Sequence, residues 1–261
     1  MKSRWARPEE RAALQALWER VFGDVEDVTG AFFRRFPPER HTRVIEADGS
    51  AASMASWLPV TLRTDESECA GAYIYAVATA REYRGRGFAR ALLEALEQAL
   101  KSEGLAFAAL CPAERSLYDY YGAMGYEPAF SCNLFECRPE GEGLPLTSMD
   151  AMQYRAAREA RLIPPFCRWD GAALSYLADT GARFYGFPGG CAAVNTLPDG
   201  KLRVSELIAD DARTAAAGLC TALGASGAEV FTPGIEQPRG MLKWFIFGQK
   251  ISRIHLGFAF D

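Results

Sequence analysis

Histidine is scarce in this chain: His41 and His255 are the two present among 261 residues. Its seven cysteines (Cys69, Cys111, Cys132, Cys137, Cys167, Cys191 and Cys220) are scattered without a C-x-x-C pair, so neither a zinc site nor a disulfide framework is indicated. A chain this poor in imidazole must also find any proton acceptor it needs elsewhere. A basic excess is missing too. The net charge is −4 and the pI near 5.4, which gives nucleic-acid binding little electrostatic support and mildly favours a cationic substrate. No stretch approaches the roughly 18 consecutive apolar residues of a membrane span. Lys2, Arg4 and Arg7 precede a charged amphipathic segment and not the apolar core of a signal peptide. The expectation is a cytoplasmic protein, monomer or homodimer, without a nucleic-acid or membrane partner.

With 49% hydrophobic residues the chain can build a proper core, as one large domain or two small ones. Its organising stretch is Tyr75 to Ala89, YAVATAREYRGRGFA. Residues 72–79 are β-branched, aromatic or small, which predicts a buried strand. Phe88, Leu92, Leu96 and Leu100 then repeat at helical spacing. Between strand and helix, Arg84, Gly85, Arg86 and Gly87 combine positive charge with two residues that lack a Cβ, so backbone N–H groups can close on an anion. The unpaired N–H groups and dipole of the following helix add to the attraction. Neither G-x-G-x-x-G nor G-x-x-x-x-G-K is present, which leaves other phosphate-binding turns or a plain solvated loop.

The remaining pattern predicts helices over 8–22 and 25–36, a hairpin of 43–47 and 51–60 about Asp48-Gly49, a helix from Phe88 to about Glu103, a strand over 105–110 and a helix over 112–126. After a linker at 139–145, a helix over 149–161 is followed by strands over 182–187, 191–196 and 202–208, a helix over 212–223 and a strand over 228–231. This order repeats that of 43–110, so the second half reads as a reduced copy of the first. At the matching turn, however, it carries Asp210-Asp211, which caps a helix and repels phosphate. One anion site is therefore expected. The closing segments 241–247 and 252–261 are apolar and strand-like.

Arg84-Gly85-Arg86-Gly87-Phe88-Ala89 resembles the Q/R-x-x-G-x-G/A signature of the GCN5-related N-acetyltransferases (GNAT). The resemblance implies an α/β (α+β) fold with a mixed sheet: a GNAT catalytic domain in residues 1–137 and a smaller degenerate GNAT-like domain in 138–261. It further implies that the backbone of Arg84 to Ala89 holds the pyrophosphate of acetyl-coenzyme A. The backbone of Val77, Ala78 and Thr79 would pair with the pantetheine arm and steady the oxyanion, and no metal is required. Tyr121-x-x-x-Gly125-Tyr126 resembles a second signature of the superfamily. The stretch Tyr121-Gly122-Ala123-Met124-Gly125-Tyr126-Glu127-Pro128-Ala129 is similar to one in the enhanced-intracellular-survival (Eis) type. There the tyrosine is assigned as general acid, which would make Tyr121 the proton donor to the departing thiolate.

The same resemblance offers a carboxylate of Asp261 as base; Glu46 acting through water is the other candidate. Phe32, Phe33, Trp57 and Tyr73 are the candidate acceptor-pocket aromatics, with core packing as their plain alternative role. A covalent role for Cys111 is rejected, since no histidine is placed to activate it. The function so implied is direct transfer of acetyl from acetyl-coenzyme A to a primary amine of a small molecule or lysine. The alternatives are a non-catalytic acyl-coenzyme A sensor and an aminoacyl or peptidyl transferase built from tandem GNAT-like domains.

Overall fold

The computed structural model describes residues 1–246 and 251–260. The first half runs β1 (Ser3–Trp5), α1 (Arg11–Phe22), α2 (Glu26–Arg35), α3 (Pro38–His41), β2 (Thr42–Ala47), β3 (Ser50–Arg63), β4 (Glu68–Thr79), α4 (Phe88–Ser102), β5 (Phe107–Leu110), α5 (Ser116–Gly122) and β6 (Glu127–Cys137). The second runs β7 (Thr147–Met149), α6 (Ala151–Glu159), β8 (Phe166–Trp169), α7 (Gly171–Asp179), β9 (Arg183–Phe187), β10 (Gly190–Thr196), β11 (Leu202–Ala209), α8 (Ala212–Leu223), β12 (Ala228–Pro233) and β13 (Gln237–Trp244). Most elements expected from periodicity are present. β8 and α7 follow Pro164-Pro165 and carry no clear sequence signal, because four residues are too few to show a period.

The strands of both halves join in one mixed sheet of order β1-β2-β3-β4-β5-β13-β6-β12-β11-β10-β9-β7, with β8 attached to β3. β4 and β5 are parallel and joined by α4; β11 and β12 are parallel and joined by α8. β13, from the end of the chain, lies between β5 and β6 and runs antiparallel to both. β6 in turn pairs with β12. Each half therefore receives a strand from the other.

Helix α4 shows how the sequence sets this geometry. Its stripe of Phe88, Leu92, Leu93, Leu96 and Leu100 is buried, and Gly87 and Gly104 at its two ends have φ of 81° and 85°. β3 is buried without interruption over residues 52–58, the pattern of a strand covered on both faces.

A buried polar cluster fixes the final segment. Glu206 on β11 accepts from Arg158 Nε at 2.7 Å and from the Tyr154 hydroxyl at 2.6 Å, and its other oxygen meets His255 Nε2 at 2.5 Å. Gly257 lies against it with φ 85°, and a Cβ there would stand 2.7 Å from both Arg158 Nη2 and Glu206 Oε1. Residues 254–260 are thereby held as a buried segment that bridges to Phe130 and Phe166 without forming a ladder.

Burial alone would raise the Glu206 carboxyl, but the Arg158 charge and the hydrogen bonds of His255 and Arg158 prevail and hold it well below the usual carboxylate range. Burial pushes the His255 imidazole down despite Glu206, so it is neutral in the fold. Both folded pKa values lie below their unfolded ones, so the unfolded chain binds more protons. Stability should therefore fall as pH drops below about 6.5 through His255, and further below about 4.3 through Glu206. Denaturant midpoints measured across pH 2.5–7 check this. Glu206→Gln, which strands the Arg158 charge, should cost about 3–5 kcal/mol at pH 7.

Candidate active site

β4 and β5 pair at Gly71, Ala72 and Tyr73, opposite Phe107, Ala108 and Ala109, and then separate. At the same place the register of β4 against β3 slips: Ala78 faces Met54 and Tyr75 faces Ser56, so Ala76 and Val77 together oppose Ala55. This is a β-bulge, and Ala76 takes φ 49°, a left-handed conformation that a side chain disfavours. The bulged backbone stands on the wall of a cavity of about 630 Å³. That wall also includes Cys111 and Pro112 beyond β5, Tyr121 on α5, Trp18 on α1, Tyr176 on α7 and Phe258 to Phe260 of the final segment.

Tyr121 is half-buried, with its ring edge-on to Tyr126 at 5.9 Å. Burial, aided slightly by Tyr120, pushes its phenol up to about 12. The group is thus protonated throughout the neutral range, suited to donate and unsuited to act as base. Other tyrosines of the cavity are committed: Tyr73 and Tyr75 donate to the Ala259 and Phe260 carbonyls at 2.7 Å each, and Tyr75 and Tyr176 share a 3.3 Å contact. No hydrogen bond from a described residue reaches the Tyr121 hydroxyl.

The turn Arg84 to Gly87 is exposed and leads into α4 through Gly87, whose side gives no capping group to the first N–H groups of the helix. Gly85 and Gly87 have φ of 71° and 81°. Arg84 Nε donates to the Thr79 carbonyl at 3.1 Å, tying the turn to the end of β4, while Arg86 lies over the rings of Tyr83 and Phe88. Left-handed glycines, uncapped N–H groups at the start of α4 and basic side chains together favour an anion. Phe88 is buried under it and Ala89 half-buried. At the matching place in the second half the Asp211 carboxylate accepts from the N–H groups of Arg213 and Thr214, so the N-terminus of α8 is already occupied by an anion.

The structure brings Tyr121, Val77 and Tyr73 to one cavity and leaves Ala78 and Thr79 beside it on β4. Thr79 spends its hydroxyl on Ser53. Phe32, Phe33 and Trp57 do not line the cavity: Phe32 and Phe33 pack behind Trp18, and Trp57 donates to the Arg40 carbonyl and stacks on His41. Their burial follows from the apolar face that α2 turns to the core. Glu46 is likewise away from the cavity, paired with Arg4, which also binds Glu10. Asp261 lies outside the described residues. The lining aromatics that sequence reasoning missed are Trp18, Phe22, Tyr75, Tyr176, Phe258 and Phe260. Trp18 and Phe22, one helical turn apart on α1, gave a usable signal, as did the apolar closing segment that holds Phe258 and Phe260; Tyr176 comes from an element without one.

A strand that bulges and parts from its parallel neighbour thus lies beside a glycine turn at a helix start, and Tyr121 lines the same cavity. Residues 2–129 match the acetyltransferase (GNAT) domain family. The fold is similar over 93% of this chain and 71% of the other to a GCN5-related N-acetyltransferase from Kribbella flavida, at 19% identity and TM-score 0.70. A second such protein, from Anabaena variabilis, has 22% identity and TM-score 0.70 over 92% and 72% of the two chains. Eis1 from Mycobacterium abscessus has 12% identity and TM-score 0.67 over 94% and 74%. No match is found among curated proteins.

The turn yields a direct test. Gly87→Val forces a β-branched residue into a left-handed conformation costing about 1–2 kcal/mol, which the turn can relieve by changing shape. Acetyl-coenzyme A affinity measured by titration calorimetry should fall by at least about tenfold. Undiminished affinity would remove the turn from the coenzyme site.

Proposed function

We propose that the protein transfers an acetyl group from acetyl-coenzyme A directly to a primary amine of a small molecule or a lysine. The observation that carries this reading is the Tyr121 phenol, raised in pKa and free of any described hydrogen bond, on the same cavity as the bulge at Ala76 and Val77. Acetyl-coenzyme A supplies an activated thioester, and the chain supplies its placement. The N–H groups at Gly85 to Ala89 hold the pyrophosphate, and the edge of β4 released from β5 pairs with the pantetheine arm as an added strand would. Main-chain N–H groups about Val77 donate to the carbonyl oxygen as charge builds there. Tyr121 donates its proton to the sulfur that leaves.

The incoming amine must be neutral, and the base remains to be assigned. With Glu46 held by Arg4, a carboxylate of Asp261 is the preferred candidate, supported by the anchoring of its neighbour Phe260 at the cavity through Tyr75. We take residues 1–137 as the catalytic unit and 138–261 as a degenerate second copy without a coenzyme site. The parallel β11–β12 pair joined by α8, and the carboxylate at the start of α8, support this division. Seven free thiols fit a reducing, cytoplasmic setting, and the acidic surface balance fits a small amine better than nucleic acid. No helix among the described residues is long and apolar enough to cross a membrane.

Tyr121→Phe tests the assignment. It removes one hydroxyl and keeps the ring packing, so kcat should drop by about 10²–10⁴-fold while acetyl-coenzyme A affinity stays within about twofold. Thiol release with a panel of amines gives the first quantity and calorimetry the second. An unchanged kcat would exclude Tyr121 as the proton donor.

A further inference from the structure

Two arginines are buried among the described residues, and they differ in one respect. Arg158 meets Glu206 at 2.7 Å. Arg239, 8% exposed, has no carboxylate within ion-pairing distance among the described residues, and its Nε is sealed from solvent without a hydrogen-bond partner. Its guanidinium lies 3.9 Å from the centre of the Phe231 ring, beside the Cys132 thiol, and faces the active-site cavity. Burying a guanidinium without a carboxylate is costly, and stacking on one ring offsets part of that cost. Among the described residues no anionic partner offsets the rest.

The backbone is shaped to place this side chain. β13 pairs Pro238 with Ser131 and Gly240 with Phe130, so Arg239 is the extra residue of a bulge. A bulge re-aims the side chain it carries. Gly240 follows because a Cβ there would stand 2.7 Å from the Leu110 carbonyl. The Arg239 carbonyl accepts from the Cys111 thiol at 2.7 Å, which sets Arg239 one strand away from the point where β4 and β5 part. Arg203, itself paired with Glu229, presents its guanidinium to the same Phe231 ring at 5.5 Å, and Ser205 and Asn195 add polar groups to the same lining.

We infer that Arg239, backed by Phe231, is a carboxylate-binding subsite of the acceptor pocket, and that the acceptor is an amino acid with an apolar or aromatic side chain. A planar guanidinium matches a carboxylate in two parallel hydrogen bonds. The aromatic walls at Trp18, Tyr75, Tyr176 and Phe258 take the body of the molecule, and its amine points to the opening beside Val77 and Tyr121. This assignment rests on the acetyl-transfer reading.

The test compares phenylalanine, leucine and tyrosine with their decarboxylated counterparts phenethylamine, isoamylamine and tyramine as acceptors for the full chain with acetyl-coenzyme A. In at least one pair kcat/KM should be about tenfold or more higher for the amino acid. Arg239→Met should cut that preference by about 10- to 100-fold, and Arg239→Lys by less, since it keeps the charge and loses the fork. Should no pair turn over, the same comparison is read in the binding of the N-acetylated products to protein loaded with coenzyme A. Equal or stronger use of the decarboxylated amines by the unaltered protein, a preference unmoved in Arg239→Met, or no binding of any product overturns the inference. Acetyl-coenzyme A binding, titrated separately, is what decides the acetyl-transfer reading.

Discussion

The ladder between β6 and β13 is the constraint on which the two halves depend. β13 reaches back across the chain to complete the sheet at β5, and β6 continues past the first half to complete it at β12. Parting the halves would expose a row of backbone hydrogen bonds on both strands, together with the large core cluster that runs from Ala6 to Phe260. The walls of the cavity therefore belong to one body. Trp18 and Tyr121 come from the first half, Tyr176 and Arg239 from the second, around one continuous sheet.

A second constraint acts on the last turns of the chain. Glu206 is buried beneath three donors from two other segments, and satisfying it requires His255 to stay in place. A buried charge with its partners contributes less to net stability than an apolar cluster would, but it admits few alternatives, because any shift leaves a charge uncompensated. The consequence is felt at the cavity. Phe258 to Phe260 are delivered to the wall, and their carbonyls absorb the hydroxyls of Tyr73 and Tyr75. Burial raises the phenols of Tyr75, Tyr121 and Tyr176 alike, so acidity alone does not single one out. Hydrogen bonding does: Tyr121 is the one of the three left uncommitted by described residues.

The parts of the site that could be read from sequence are those whose chemistry is local. Gly85 and Gly87 between a strand and an amphipathic helix, and Tyr121 four residues before Gly125, are short-range patterns that a single segment must satisfy. Helices α1, α2, α4, α6 and α8 and the first hairpin were equally legible, since periodicity reports which face is buried. What the pattern withheld is pairing. No local feature of β13 says that it crosses to β5, and Arg239 reads as one more surface arginine until its bulge and its ring partner are known. Phe32 and Phe33 show the reverse case: aromatic residues on a helix beside a pocket are also what a core needs, and here the core took them. Glu46 was drawn away by Arg4, forty-two residues distant in the chain.

The bulge at Ala76 shows how one backbone device can serve two ends. An alanine in the left-handed region costs about 1–2 kcal/mol, and the paired strands on either side, with the Ser53 hydroxyl on the Ala78 carbonyl, hold it there. β11 carries a bulge at the equivalent point, where Ala193 faces Glu206 and Val194 faces Val204, leaving Ser205 as the extra residue. On β4 the strand then opens onto the cavity, and its freed edge is available to a ligand. On β11 the residue after the bulge is Glu206, whose carboxylate turns into the protein and closes on Arg158 and His255. The same interruption of a ladder therefore exposes backbone in one half and installs a buried charge in the other. The second use is what anchors the segment that finishes the wall of the first.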